Sequence, residues 1–141
     1  MAAIETGCVP FATHDLTPPG ARGANAAMAM IVVPLSDGSV YANAGDAHAS
    51  AEYEALRWLR SRPETRNTKL TWKLSHHGSR TSSDRRFLHL LKPDRVWISA
   101  GAGNRYGHPS FETLSRLRTE GIPFQRTDEE GAIKAVTDRH R

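Results

Sequence analysis

Apolar and polar positions along this chain fall into short blocks that change period several times. Met28 to Pro34 is a continuous apolar run, Ser36-Asp37-Gly38-Ser39 supplies turn chemistry, and Val40 to Ala44 is a second short run. Together they predict a β-hairpin. Gly45-Asp46 closes its second strand. Ser50 is then placed to cap a helix in which Tyr53, Leu56 and Leu59 recur near one helical turn, and Pro63 stops that helix. Leu70 to Leu74 alternates as a strand does, and Ser75-His76-His77-Gly78-Ser79 breaks the alternation. A helix from Ser83 to Leu91, with Phe87, Leu90 and Leu91 on one face, is followed by a buried strand from Arg95 to Ala100 and a loop from Gly101 to Pro109. Ser110 should cap a third helix with Phe111, Leu114 and Leu117 inward and Gly121 at its end. Ile122 to Arg126, the Asp128-Glu129-Glu130-Gly131 turn and Ala132 to Val136 read as a closing strand pair before a charged tail.

Strands that alternate with helices in this way predict an α/β layered domain. Residues 1–24, with Pro10, Pro18, Pro19, Gly20 and Gly23 and no apolar period, read as an irregular segment or a strand fragment followed by loop. Residues 25–141 read as one domain, and 38% hydrophobic content over 141 residues is enough for a core. No window is apolar enough to span a bilayer, and the N-terminus lacks a signal-peptide pattern. That predicts a cytoplasmic product if the chain is complete. Cys8 is the only cysteine, which excludes an internal disulfide and a thiolate zinc site. A metal would have to be held by His and Asp.

Formal charge is +4, but Arg57 to Arg95 holds eleven Lys/Arg against three acids, a local excess of +8. Such a block either favours a phosphate-bearing ligand or lies on solvated helix faces. Three polar clusters each follow a predicted strand: Gly45-Asp46, His76-His77-Gly78-Ser79 and Asn104-Arg105-Tyr106-Gly107-His108-Pro109. Loops leaving the C-terminal strand edges of α/β sheets are where ligand sites collect. An aspartate and a histidine pair are the donor types that hold zinc or manganese and activate water; a plain turn after the strand is the alternative for Gly45-Asp46.

These clusters, with Thr81-Ser82-Ser83 and the ending Thr127-Asp128-Glu129-Glu130-Gly131-Ala132-Ile133, make the chain resemble the C-terminal half of the metallo-β-lactamase-like domain of ComEC/Rec2 competence (DNA internalisation) proteins. Asn25 to Asp46 is similar too, although Asn43-Ala44-Gly45-Asp46 stands where that family more commonly has Thr before the Gly. The resemblance implies half of an αββα sandwich, a mixed sheet with helices packed on it. It implies a metal-dependent hydrolase acting on phosphodiesters or nucleic acid in bacterial DNA uptake, with zinc or manganese as cofactor. Asp46 then corresponds to a metal-bridging carboxylate and His76 or His77 to a ligand of the second metal. His76 comes first because it is nearer the strand end, and the other histidine would contact substrate or orient a ligand. Ser79, Asn104, Arg105, Tyr106 and His108 correspond to the substrate-binding lining. Arg105 and His108 would face a phosphodiester unless the loop is simply a rigid one set by Pro109. Ser79, Thr81 and Ser82 would bond a phosphate or build the turn, with helix capping the first reading for Ser82.

The early His-x-His-x-Asp-His motif of that fold is absent, and His14-Asp15 does not replace it. About the first hundred residues of the complete fold are expected to be missing. The site should therefore fall short of four ligands. Three explanations compete: a truncated product or fragment of a membrane channel protein, a half-domain completed by a second copy or a partner chain, and a noncatalytic homologue. An uncovered apolar sheet face should accompany the loss. Two rivals use other chemistry. One is a nucleotide-binding module built on Gly101 to Gly107, whose spacing is not the dinucleotide fingerprint; the other is a noncatalytic nucleic-acid-binding domain using the basic block. No GxSxG elbow supports a serine nucleophile.

Overall fold

The computed structural model describes residues 12–15 and 29–135. Strands β1 (Ala12–Asp15), β2 (Ala29–Pro34), β3 (Val40–Asn43), β4 (Leu70–Lys73), β5 (Arg95–Ile98) and β6 (Phe124–Arg126) form one sheet in the order β1-β2-β3-β4-β5-β6. The first three strands are antiparallel neighbours and the last four are parallel neighbours. The fold is thus α/β with a mixed sheet, as expected. The β2–β3 hairpin closes where Gly38 adopts φ 82° and its amide donates to the Leu35 carbonyl at 3.0 Å. Asp37 Oδ1 accepts from the Ser39 amide at 2.9 Å, which fixes the turn.

The crossovers β3–α1–β4, β4–α2–β5 and β5–α3–β6 carry helices α1 (Ala49–Ser61), α2 (Arg85–Leu91) and α3 (Phe111–Thr119). Crossovers between parallel strands are right-handed, and strands added in one direction place all three helices on one face. Side-chain burial follows that geometry. Val32, Ala42, Trp72 and Val96 sit opposite one another across β2, β3, β4 and β5 and are all buried. Together with Phe87, Leu88 and Leu117 they form the core, and a fully buried side chain of this kind contributes about 1.5–3 kcal/mol. The other face carries Val33, Tyr41, Thr71, Lys73 and Trp97, all half-buried, with Ile31 exposed. Tyr41 and Trp97 touch there, ring centroids 5.7 Å apart. Among the described residues Ile31 is the exposed large hydrophobic of this face.

Several local expectations need correction. Helix α1 begins at Ala49 with His48 at the cap position, so Ser50 lies inside it; the Ala44–Ala47 turn starts the helix two residues earlier. Ser82 does not cap α2. Its hydroxyl is buried and donates to the Ser75 and Ser79 carbonyls, while the Asp84 carboxylate accepts from the Phe87 amide at 2.8 Å. The helix therefore starts at Arg85, and Leu88 joins Phe87 in the core. Leu90 and Leu91 line a groove with Leu56, Leu59 and Leu70. Ser110 caps α3 as expected, accepting from the Thr113 amide at 3.2 Å. Phe111 is not inward but 77% exposed; Thr113, whose hydroxyl donates to the Ser79 carbonyl, takes the inward position in the first turn, and Leu114 and Leu117 are buried. After β6 the chain makes a single helical turn, α4 (Thr127–Glu130). There Arg126 pairs with Asp128 and Glu129, and Thr127 Oγ1 bonds the backbone of Ala100 in both directions. That folded-back turn replaces the closing strand, since residues 132–135 form none. Val136, Cys8, Asn25 and most of the N-terminal segment lie outside the described residues; within that segment Ala12–Asp15 is a strand fragment paired with β2.

Candidate functional site

The polar clusters converge at the C-terminal ends of β3, β4 and β5, where three loops are stitched by backbone bonds. The Asn43 side chain accepts from the Gly45 amide at 2.9 Å and shapes the first loop. Gly45 O then accepts from the His76 amide at 3.0 Å, and Gly78 O accepts from the Ser110 amide at 2.9 Å. Between them His76 (φ 48°, ψ 42°) and His77 (φ 54°, ψ 23°) are consecutive left-handed residues. Non-glycine residues occupy that region at a cost of about 1–2 kcal/mol each and do so chiefly where function or surrounding bonds require it.

His77 Nδ1 lies 2.6 Å from the Ser99 carbonyl oxygen. A carbonyl only accepts, so Nδ1 carries the proton and Nε2 faces Asp46 Oδ1 at 3.3 Å. An imidazole held this way by a backbone carbonyl presents its other nitrogen as a ligand does. The structure therefore brings His77, and not His76, to Asp46. His76 instead packs edge-on against His48 at 5.0 Å and against His108 at 5.8 Å between centroids. Burial lowers the His76 pKa below the ordinary histidine range; Asp46 opposes this, and His48, His108 and His77 reinforce it. The Nδ1 atoms of His76 and His108 are both buried without a hydrogen-bond partner. Lys73, at the end of β4, is also lowered by burial, with Asp46 opposing.

His48 is the member that sequence reasoning missed. The available signal was Asp46-Ala47-His48, a carboxylate and an imidazole two residues apart at a strand end. His48 Nδ1 is 3.4 Å from Thr81 Oγ1, so it also touches the Ser79–Ser83 segment. Glu52 on α1, fully buried, was likewise missed and holds that segment from below. Its carboxylate accepts from the Ser83 amide at 2.6 Å and the Ser83 hydroxyl at 2.7 Å. Burial pushes the Glu52 carboxyl up, against the lowering effect of the Ser83 bonds.

The remaining lining is divided. Ser79 is nearly buried, its hydroxyl 3.0 Å from Thr81 Oγ1. The Asn104 side chain donates to Gly101 O and His108 O and accepts from the His108 amide at 3.0 Å, which closes the third loop on itself. That occupies the Asn104 amide groups that a phosphate-binding loop would offer. Arg105 reaches no histidine: its guanidinium sits 5.0 Å from the Tyr106 ring and donates to the Tyr106 hydroxyl at 2.8 Å. Tyr106 stacks on His108 at 6.1 Å between centroids. Of the basic block, Lys73 and Arg80 lie near this edge. Arg60 donates to Leu90 O and Arg66 to Arg60 O, at the opposite end of the sheet, and Arg85 pairs with Glu120.

Among the described residues no three of His, Cys, Asp or Glu converge so as to hold a metal ion. The Asp46 and His77 side chains face each other with 59% and 45% of their surface exposed. No helix of the described residues is long and apolar enough to cross a membrane.

The chain is 42% identical over 62 residues to ComE operon protein 3 of Bacillus subtilis (strain 168), covering 44% of this chain and 8% of that protein. It is 43% identical over 61 residues to competence protein ComA of Neisseria gonorrhoeae, covering 43% of this chain and 9% of that protein. The similarity to competence proteins read from the sequence is thus found in both, over a stretch that is less than a tenth of either relative. No protein-family model matches the chain, and no solved structure matches it.

Proposed function

We propose that this chain supplies one edge of a metal-dependent phosphodiesterase site, of the metallo-β-lactamase kind, acting on nucleic acid in bacterial DNA uptake. The observation that carries the reading is the His77–Asp46 pair. With Nδ1–H committed to Ser99 O, His77 Nε2 and an Asp46 carboxylate oxygen face each other at 3.3 Å. A ring nitrogen and a carboxylate so placed can hold a cation between them, or share a proton as an ion pair. Zinc or manganese, when bound, supplies Lewis-acid chemistry at a phosphoryl oxygen.

Two donors do not fit a complete ion site, which takes about four first-shell positions. The remaining donors come in this reading from residues beyond those described, from a second copy or from a partner chain. The open sheet face with Ile31, Val33, Tyr41 and Trp97 is the surface on which that completing part would rest. Such a chain belongs in a part of a DNA-uptake membrane protein that lies outside the bilayer. In this arrangement His77 supplies one donor, Asp46 supplies the second, and His76, its pKa lowered mainly by burial, packs against His48 and His108. No observation favours the nucleotide-binding reading of Gly101 to Gly107, because Asn104 closes that loop internally.

Zinc and manganese titrations followed by calorimetry, with metal content by mass spectrometry and hydrolysis of a generic phosphodiester on the same samples, test the proposal. Asp46→Ala and His77→Ala should each weaken metal binding about tenfold or more, as loss of a ligand or its support does. His76→Ala should leave it largely unchanged. Metal binding indifferent to His77→Ala, or none at all, overturns the assignment.

A further inference from the structure

Three large hydrophobic side chains are exposed among the described residues: Ile31, Tyr106 and Phe111. Two of them, Tyr106 at 67% and Phe111 at 77% exposure, line one cleft of about 360 Å³. Isolated exposed apolar residues need no explanation, but two aromatic rings on a single concave surface mark a binding surface. The same cleft is lined by His108, whose ring also packs against His76, so it opens directly beside the histidine cluster.

The charge around these rings is selective. Arg80 lines the cleft, and among the described residues no carboxylate pairs with its guanidinium, since only its backbone carbonyl is engaged, by Arg116. Arg105 adds a second cation held against Tyr106 by its hydroxyl and ring. Glu112 is the one acid in the lining. Aromatic rings flanked by arginines, with one acceptor, suit a flat heterocycle that carries a phosphate and offers an amino or imino group. Aromatic side chains seat successive bases of single strands in this way, and a duplex does not present its base faces.

We propose that Tyr106 and Phe111 form a seat for an unstacked nucleobase, with Arg80 and Arg105 drawing its phosphate toward the Asp46–His77 edge. Any cleavage of the seated strand rests on the phosphodiesterase reading; the binding itself does not. A free nucleotide and a single strand share this chemistry.

The test is fluorescence anisotropy with the whole 141-residue chain in a metal chelator, at one fixed ionic strength. The ligands are a thymidylate strand of about 12 nucleotides, within the range of single-strand site sizes, and an abasic strand of equal length and phosphate count. The thymidylate strand should bind about tenfold more tightly, the order of one stacked base. Tyr106→Ala and Phe111→Ala should each abolish most of that preference and leave the abasic strand unaffected, while Tyr106→Phe keeps it. Arg80→Ala should weaken both strands alike. Competition by thymidine monophosphate assigns the seat to a free nucleotide, and absence of competition assigns it to a strand; either supports the seat. Equal affinity for the two strands, no binding of either, or equal losses for both in Tyr106→Ala and Phe111→Ala overturns it. Because no metal is present, a failed base preference is separate from a failed metal titration.

Discussion

Gly78 is a point at which two of the site loops pack tightly, and Gly78→Ala is a substitution whose cost can be worked out from the structure. Gly78 has φ +79°, and a Cβ built on it would lie 2.7 Å from Pro109 Cβ and 3.2 Å from Leu74 Cδ2. Two costs add. The left-handed backbone costs an L-residue about 1–2 kcal/mol. The contact at 2.7 Å is with a ring carbon whose own Cα lies 3.2 Å from the new atom, so it cannot relax by a side-chain rotation, and overpacking of this kind costs about 1–3 kcal/mol. The sum, about 2–5 kcal/mol, is a large share of the stability of a small domain. Gly103→Ala separates the two, because Gly103 has φ +63° with nothing within 4 Å of its Cβ position. It should lose only the backbone contribution. Urea unfolding followed by circular dichroism measures both variants against wild type. A Gly78→Ala loss no greater than that of Gly103→Ala would refute the close approach of the His77 and Pro109 loops.

Glu52→Gln should make unfolding less pH-dependent. The folded pKa of Glu52 is raised by burial, so the protonated form is favoured in the fold; its stabilising contribution is full below the ordinary glutamate range and is lost as pH rises through the raised value. Denaturant midpoints measured upward from mildly acidic pH should therefore fall for wild type relative to the variant, and parallel curves would contradict this. Leu117→Ala should cost about 2–5 kcal/mol, whereas Phe111→Ala should stay within about 0.5 kcal/mol, although both belong to one apolar stripe in the sequence. The same unfolding assay reads both, and equal losses would place Phe111 in the core.

Element types were legible because they rest on period and punctuation, which are local. Ser36-Asp37-Gly38-Ser39 carries its own turn chemistry, and Ser110 its own cap, so both stand where the sequence puts them. What failed depends on partners distant in sequence. Phe111 belongs to the inward stripe by spacing, but Thr113, bonded to the Ser79 carbonyl 34 residues away, is the buried residue of that turn. Ser82 has the composition of a cap, yet the Ser75 carbonyl, seven residues back, takes its hydroxyl and leaves capping to Asp84. The strand expected at Ala132 gave way to a turn held by Arg126, Asp128 and the Thr127–Ala100 bonds.

The site obeys the same division. That Asp46, the histidine pair and His108 gather at one sheet edge is a consequence of strand order alone, since β3, β4 and β5 are parallel neighbours and their loops leave the same end. Which of the paired histidines meets Asp46 is not set by distance along the chain. His76 is nearer the strand, yet His77 is the one paired with Asp46. The His76 amide is tied to Gly45 O and both residues turn left-handed, which carries His77 around to the Ser99 carbonyl. A carbonyl belonging to β5's exit therefore selects the donor presented to β3's exit. The selection needs two crossovers to be in place before it exists, so it is a property of the assembled edge. The same edge explains why Glu52, remote from the histidines in sequence, matters: by holding Ser83 it fixes the far end of the segment that begins with them.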